Sequence, residues 1–112
     1  MRNLFNTLIG FAVLAAMSSA HAQMKPDELR AAREAYINQG CSSCHAVADT
    51  LAGPSLKAIA KRYKGKNVSA ELATRIREGS SGRWGDLPHP PVAVTPAEAT
   101  LMAKWVLAGA PG

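Results

Sequence analysis

The chain has 112 residues, 47% of them hydrophobic and 19% charged, with 13 Lys and Arg against 8 Asp and Glu for a formal charge of +5. That length holds one small domain, and the basic balance favours acidic partners and long-range steering without naming any. No apolar run reaches the roughly 20 residues of a membrane span, so stable membrane insertion is not expected.

The chain opens with Arg2, a mostly apolar stretch from Leu4 to Met17, and the small-x-small cleavage site Ala20-His21-Ala22. Residues 1–22 read as a cleaved secretory signal peptide, leaving a domain of residues 23–112 that starts at Gln23 and carries a formal charge of +4 once Arg2 is lost. The residue directly after the cleavage site is Gln23, not cysteine, which argues against a lipid anchor. Export makes nucleic acid a poor partner.

Pro26-Asp27-Glu28 has the form of a helix start, with acids at the positive end of the helix dipole. Leu29, Ala32, Tyr36 and Gly40 recur at helical spacing and lead into Cys41-Ser42-Ser43-Cys44-His45. That C-x-x-C-H run is the attachment signature of a c-type haem. Each thiol adds to one vinyl group, the three-residue offset keeps both sulfurs on one side of a helical turn, and His45 reaches the iron as proximal ligand. A mature chain this short buries a limited core, and a covalent haem supplies the missing apolar mass. Two other readings compete. One is a disulfide or thioredoxin-like redox pair, against which stand the adjacent His45 and the lack of a βαβ pattern. The other is zinc, for which only Cys41, Cys44, His45 and His89 are available as the four ligands.

Beyond the motif, Ala52-Gly53-Pro54 is a turn. Leu56 to Tyr63 is a helix with Leu56, Ile59, Ala60 and Tyr63 on one face, closed by Lys64-Gly65-Lys66-Asn67. Ser69 is placed as the cap of a third helix carrying Leu72, Arg75 and Ile76. Gly79 to Pro91 is loop. Thr95-Pro96-Ala97-Glu98 is a capping box with proline at the first helical position. The last helix runs to about Leu107, with Leu101, Met102, Trp105 and Val106 as core candidates and Gly109 as its end. The fold class is all-α, four to five helices around one haem.

Taken together, these stretches resemble the small bacterial class I cytochromes c, the family that includes periplasmic electron donors to nitrite reductase. The resemblance rests on Asn38-Gln39-Gly40-Cys41 through His45, Gly53-Pro54, Arg75-Ile76-Arg77-Glu78-Gly79-Ser80, Gly82-Arg83-Trp84-Gly85, Pro88-x-Pro90-Pro91 and Ala103-Lys104-Trp105-Val106-Leu107. It implies a class I cytochrome c fold around one covalent haem c. It further implies that Pro54 lies beside the His45 ring, with a nearby backbone carbonyl accepting the ring N–H. Trp84 donates to a haem propionate or is simply a buried aromatic. Arg75 offsets propionate charge or is a solvated helix residue. Tyr36 and Trp105 sit where the first and last helices cross. The basic cluster Lys57, Lys61, Arg62, Lys64 and Lys66 is read as a solvated face rather than a docking patch.

The departure from the family is His89, which stands where the pattern Pro-Met-Pro-Pro puts the sixth iron ligand. Of the two methionines of the mature chain, Met24 lies near a frayed N-terminus and Met102 reads as a core filler. His89 is expected to bind the iron opposite His45. The resulting reading is a periplasmic single-electron carrier, not an enzyme, with a bis-histidine haem of low potential. Its partners are redox proteins with an acidic docking surface, a second cytochrome subunit among them. The alternative is a module that binds or senses NO or CO at an open or labile sixth site. Peroxidase chemistry lacks an acid–base pair near the iron.

Mass spectrometry of the exported protein is expected to find Gln23 at the N-terminus and the haem retained through denaturing electrophoresis. Recovery of an intact Leu4–Met17 segment, or release of haem, would refute one or the other assignment.

Overall fold

Four α-helices and one 3₁₀ turn follow one another, with no strand, among residues 23–112, which are those the computed structural model describes. The expected leader, Arg2 through Ala22, lies outside the described residues.

Helix α1 (Pro26–Asn38) starts with proline in its first turn, and the Glu28 carboxylate accepts the Lys25 backbone N–H at 2.9 Å. Helix α2 (Leu56–Arg62) is capped by the Ser55 hydroxyl, which accepts the Ala58 N–H at 3.0 Å. It ends on Lys61 and Arg62, where cations suit the negative end of the dipole. Helix α3 (Ser69–Glu78) begins one residue earlier than the sequence suggests. Val68 holds the cap position, Ser69 is the first helical residue, and no side chain caps the helix. Helix α4 (Pro96–Leu107) has the expected capping box: Glu98 N–H to Thr95 Oγ1 at 3.1 Å, and Thr95 N–H to Glu98 Oε2 at 2.9 Å. Its far end closes with a Schellman pair, Gly109 N–H to Val106 O and Ala110 N–H to Trp105 O, both 2.9 Å.

Helix α4 is the centre of the fold, since α1, α2 and α3 all pack on it. On one side Ala32, Leu56, Trp105 and Ala110 form a buried cluster, with Tyr36, Ile59 and Leu101 against it. The Tyr36 and Trp105 rings lie 5.2 Å apart at 49°, a tilted aromatic pair at the crossing of α1 and α4. Met24 packs on this cluster too, so the chain before α1 is docked rather than frayed. On the other side Ala73, Ala99 and Ala103 are buried where α3 meets α4. Three short side chains at that contact let the two backbones approach closely. Leu72, Ile76, Met102 and Val106, together with Leu56 and Ile59 of α2, then turn toward a cavity left between the helices.

Trp105 is the anchor, 2% exposed, with its indole N–H donating to the Pro111 carbonyl at 2.9 Å. Trp105→Ala should cost about 3–5 kcal/mol in denaturant unfolding of the holoprotein. Trp105→Phe, which keeps most of the ring but leaves the Pro111 carbonyl without its donor, should cost about 1–3 kcal/mol. Equal effects of the two would show that the ring is not what holds α1 to α4.

Candidate functional site

Beyond α1 the backbone turns over at Gly40 into the 3₁₀ turn Cys41–Ser43. The Cys44 and His45 N–H groups both donate to the Cys41 carbonyl, at 3.1 and 2.9 Å. In a 3₁₀ turn residues i and i+3 eclipse, so the turn aligns Cys41 with Cys44 more closely than an α-helical turn would. Both cysteines are free, Cys41 half-buried and Cys44 exposed, and both line the cavity. Burial pushes the Cys41 thiol up from its ordinary value. The disulfide reading therefore finds no bond here. No cluster of three or more potential metal ligands among His, Cys, Asp and Glu exists among the described residues, which removes the zinc reading.

His45 is seated from three directions. Its Nδ1–H donates to the Pro54 carbonyl at 2.7 Å, the carbonyl acceptor anticipated beside the ring. This bond sets the tautomer and leaves Nε2 with its lone pair free, as in ligand histidines generally. The Tyr36 hydroxyl donates to the His45 backbone carbonyl. Burial, and then Cys41, raise the Tyr36 phenol, which keeps it a donor. Under the ring lies Gly53, whose N–H donates to the Cys44 carbonyl at 2.9 Å. A Cβ at position 53 would stand 2.6 Å from His45 Cε1 and 2.9 Å from Nδ1. Glycine is required there by space, not by the turn that the sequence reading assigned.

Across the cavity stands His89. Its backbone pairs with Ser80, just beyond α3: Ser80 N–H to His89 O at 3.1 Å and His89 N–H to Ser80 O at 2.7 Å. Gly79, at φ +81°, makes this possible, because a Cβ there would lie 2.7 Å from the His89 carbonyl oxygen. The His89 ring centre lies 6.0 Å from that of His45, with the planes at 32°. His89 Nδ1 is buried without a hydrogen-bond partner. Burial, and then the nearby His45, lower the pKa of His89 and so favour the neutral imidazole.

The cavity between the rings measures about 420 Å³, within the range of cofactor sites. Its walls are mostly apolar: Leu56, Ile59, Leu72, Ile76, Val92 and Met102. A flat apolar cofactor with a central metal fits this arrangement. Two imidazole nitrogens each about 2 Å from one metal ion place their ring centres about 6 Å apart, the separation observed. Met102, buried on the cavity wall, fills core as anticipated.

The two polar residues expected at the cofactor edge are both on the lining but differ in state. The Arg75 side chain is 14% exposed, and its guanidinium is bound by the Glu71 carboxylate and, at 3.2 Å, by the Tyr63 hydroxyl. It is therefore not a solvated helix residue. Trp84 is 41% exposed and stands at the cavity lining. The Arg62 guanidinium covers its face, 4.3 Å from the ring centre. Sequence reasoning missed the roles of Gly53, Gly79, Ser80 and the Tyr36 hydroxyl. Gly79 and Ser80 were within reach, since Gly79-Ser80 closes one of the matching stretches. For Arg62 there was no signal.

Comparison with known proteins adds an independent line. The cytochrome c family model matches residues 29–109. Cytochrome c-551 of Pseudomonas aeruginosa is 47% identical over 73 residues, covering 64% of this chain and 70% of that protein. Cytochrome c-552 of Nitrosomonas europaea is 38% identical over 99 residues, covering 87% and 89%. The crystal structure of a deletion mutant of that N. europaea cytochrome c552 superposes with a TM-score of 0.67 at 40% identity, covering 69% of this chain and 98% of the other.

Gly53→Ala should cost about 1–3 kcal/mol by forcing a methyl group against the His45 ring, and should shift the His45 ring signals in the NMR spectrum. Gly65→Ala, in open space, should cost about 1–2 kcal/mol from its left-handed backbone alone and leave those signals in place. Unmoved His45 signals in Gly53→Ala would refute the seat described.

Proposed function

The chain belongs to the cytochrome c family as a small class I electron-carrier member, and we propose that it is a periplasmic single-electron carrier whose iron is held by His45 and His89 from opposite sides. The family's cofactor is one covalent c-type haem with iron, which when bound supplies a one-electron couple. The observation that carries the bis-histidine reading is the facing pair of rings 6.0 Å apart across an apolar cavity.

Each residue then has a task. Cys41 and Cys44 would hold the group by two thioethers, each S–H adding across one vinyl double bond. His45 presents Nε2, because Nδ1–H is committed to Pro54. His89 presents a neutral imidazole from a backbone clamped to Ser80. Arg75 and Trp84 face the propionates: Arg75 with a guanidinium already shared with Glu71 and Tyr63, and Trp84 with an indole N–H that has no protein acceptor among the described residues. The apolar wall excludes water, which keeps the charge change on the iron costly to solvate and so tunes the couple.

Imidazole donates more strongly than the thioether it replaces and favours ferric iron, whereas methionine ligation raises the potential. The protein therefore works at the low end of its family. With His89 in that place, no observation favours NO or CO binding at an open site. No bond-making apparatus is needed for electron transfer, and the chain is read as a carrier, not an enzyme. Among the described residues no helix is long and apolar enough to cross a membrane. Export through a leader cut after Ala22 would deliver the domain to the periplasm. Its redox partners dock through acidic surfaces, which the formal +4 charge of residues 23–112 attracts at long range. Those partners include the candidate second cytochrome subunit and nitrite-reductase-type acceptors.

His89→Met should raise the reduction potential and introduce the far-red sulfur-to-iron absorption band, and His89→Ala should open the ferrous protein to carbon monoxide. Electron paramagnetic resonance of the oxidised wild type should show a low-spin bis-imidazole signal. A wild type that already binds carbon monoxide quickly, or a His89→Ala spectrum identical to wild type, would refute ligation by His89.

A further inference from the structure

The loop that carries His89 is fastened at its base and at one other point. At the base, Ser80 and His89 exchange their two backbone hydrogen bonds. Between them, residues 81–88 make a single hydrogen bond to the rest of the molecule among the described residues: Arg62 Nη1 donates to the Arg83 carbonyl at 2.8 Å. The same guanidinium lies over the next residue, 4.3 Å from the centre of the Trp84 ring. Arg62 is the last residue of α2, which packs on α4 through buried Leu56, so its anchor point is rigid.

Apart from the face it turns to the cofactor cavity, the loop has little protein to hold it. Leu87 is 70% exposed, and Trp84 is 41% exposed even with Arg62 in place. Segments that bury little apolar surface and share few hydrogen bonds open locally at low cost. One planar guanidinium can give a fork N–H to a carbonyl and stack on an indole at once. An ammonium in its place supplies a point charge but not both contacts. Arg62 has no carboxylate partner among the described residues to divert it.

We propose that Arg62 is the latch of the ligand loop, a positioning residue that holds residues 81–88 against α2 and thereby keeps His89 seated on the cavity. It acts through Arg83 and Trp84, not on the iron itself. The proposal rests on the reading of His89 as sixth ligand. It also separates Arg62 from the solvated basic face to which its neighbours belong.

The test uses the holoprotein as wild type, Arg62→Ala and Arg62→Lys. The carbonyl that Arg62 holds belongs to the Arg83–Trp84 bond, which trypsin cuts only when the loop opens. Cleavage there should be about thirtyfold faster in Arg62→Ala, as expected at the low end for loss of one charged hydrogen bond and a surface cation–π contact. Arg62→Lys should fall between, and it carries the test if the alanine variant does not accumulate. Added imidazole should displace His89 from ferric iron faster in the same order, while the unfolding midpoint of the whole domain stays close to wild type. Cleavage at wild-type rates would overturn the latch. Faster cleavage with unchanged imidazole uptake would overturn its coupling to His89. A wild-type ferric spectrum without bis-imidazole character would instead refute His89 ligation, and the cleavage rates would still report on the latch.

Discussion

The hydrogen bond from His45 Nδ1–H to the Pro54 carbonyl is the constraint on which the rest of this site depends. It joins the end of the cysteine motif to the start of α2, and it decides which ring nitrogen faces the cavity. Around it the chain is tightly committed: Gly53 leaves beneath the ring no room for a Cβ, and the Tyr36 hydroxyl ties the His45 carbonyl to the α1–α4 crossing. The aromatic pair that closes the core therefore also positions His45. Core packing and the placing of this ring share the same residues, so neither can be altered in isolation.

The opposite wall is built on a different plan. His45 is oriented by its side chain, while His89 is located by its main chain through the pairing with Ser80. Its ring Nδ1 has no acceptor of its own. The two rings are therefore held unequally, His45 by a hydrogen bond to its ring and His89 by its backbone alone.

Much of the fold was legible in the sequence because its signals are local. Capping residues and prolines marked the starts of α1 and α4, and helical spacing marked α2 and α3. The cysteine motif and His89 stood out by residue type alone. What stayed hidden depends on contacts between distant segments. Nothing in the string says that position 53 must be empty for a ring eight residues earlier, or that Gly79 lets the His89 carbonyl approach. Val68 capping α3 without a side-chain acceptor also runs against local rules, since packing on α4 outweighs a cap worth about 1 kcal/mol. Arg62 looked like one of several lysine-like surface charges. Its special place comes only from where the loop at 83–84 happens to pass.

The pairing of Ser80 with His89 joins peptide groups and takes no notice of what side chain position 89 carries. The loop is thus a socket, with its register set by Gly79 and the backbone and its contents left open. Exchange of the residue in that socket changes what faces His45 across the cavity without asking the fold to rebuild itself. A lineage built on this frame can alter that wall of the cavity by drift at one position, with the rest of the scaffold inherited intact.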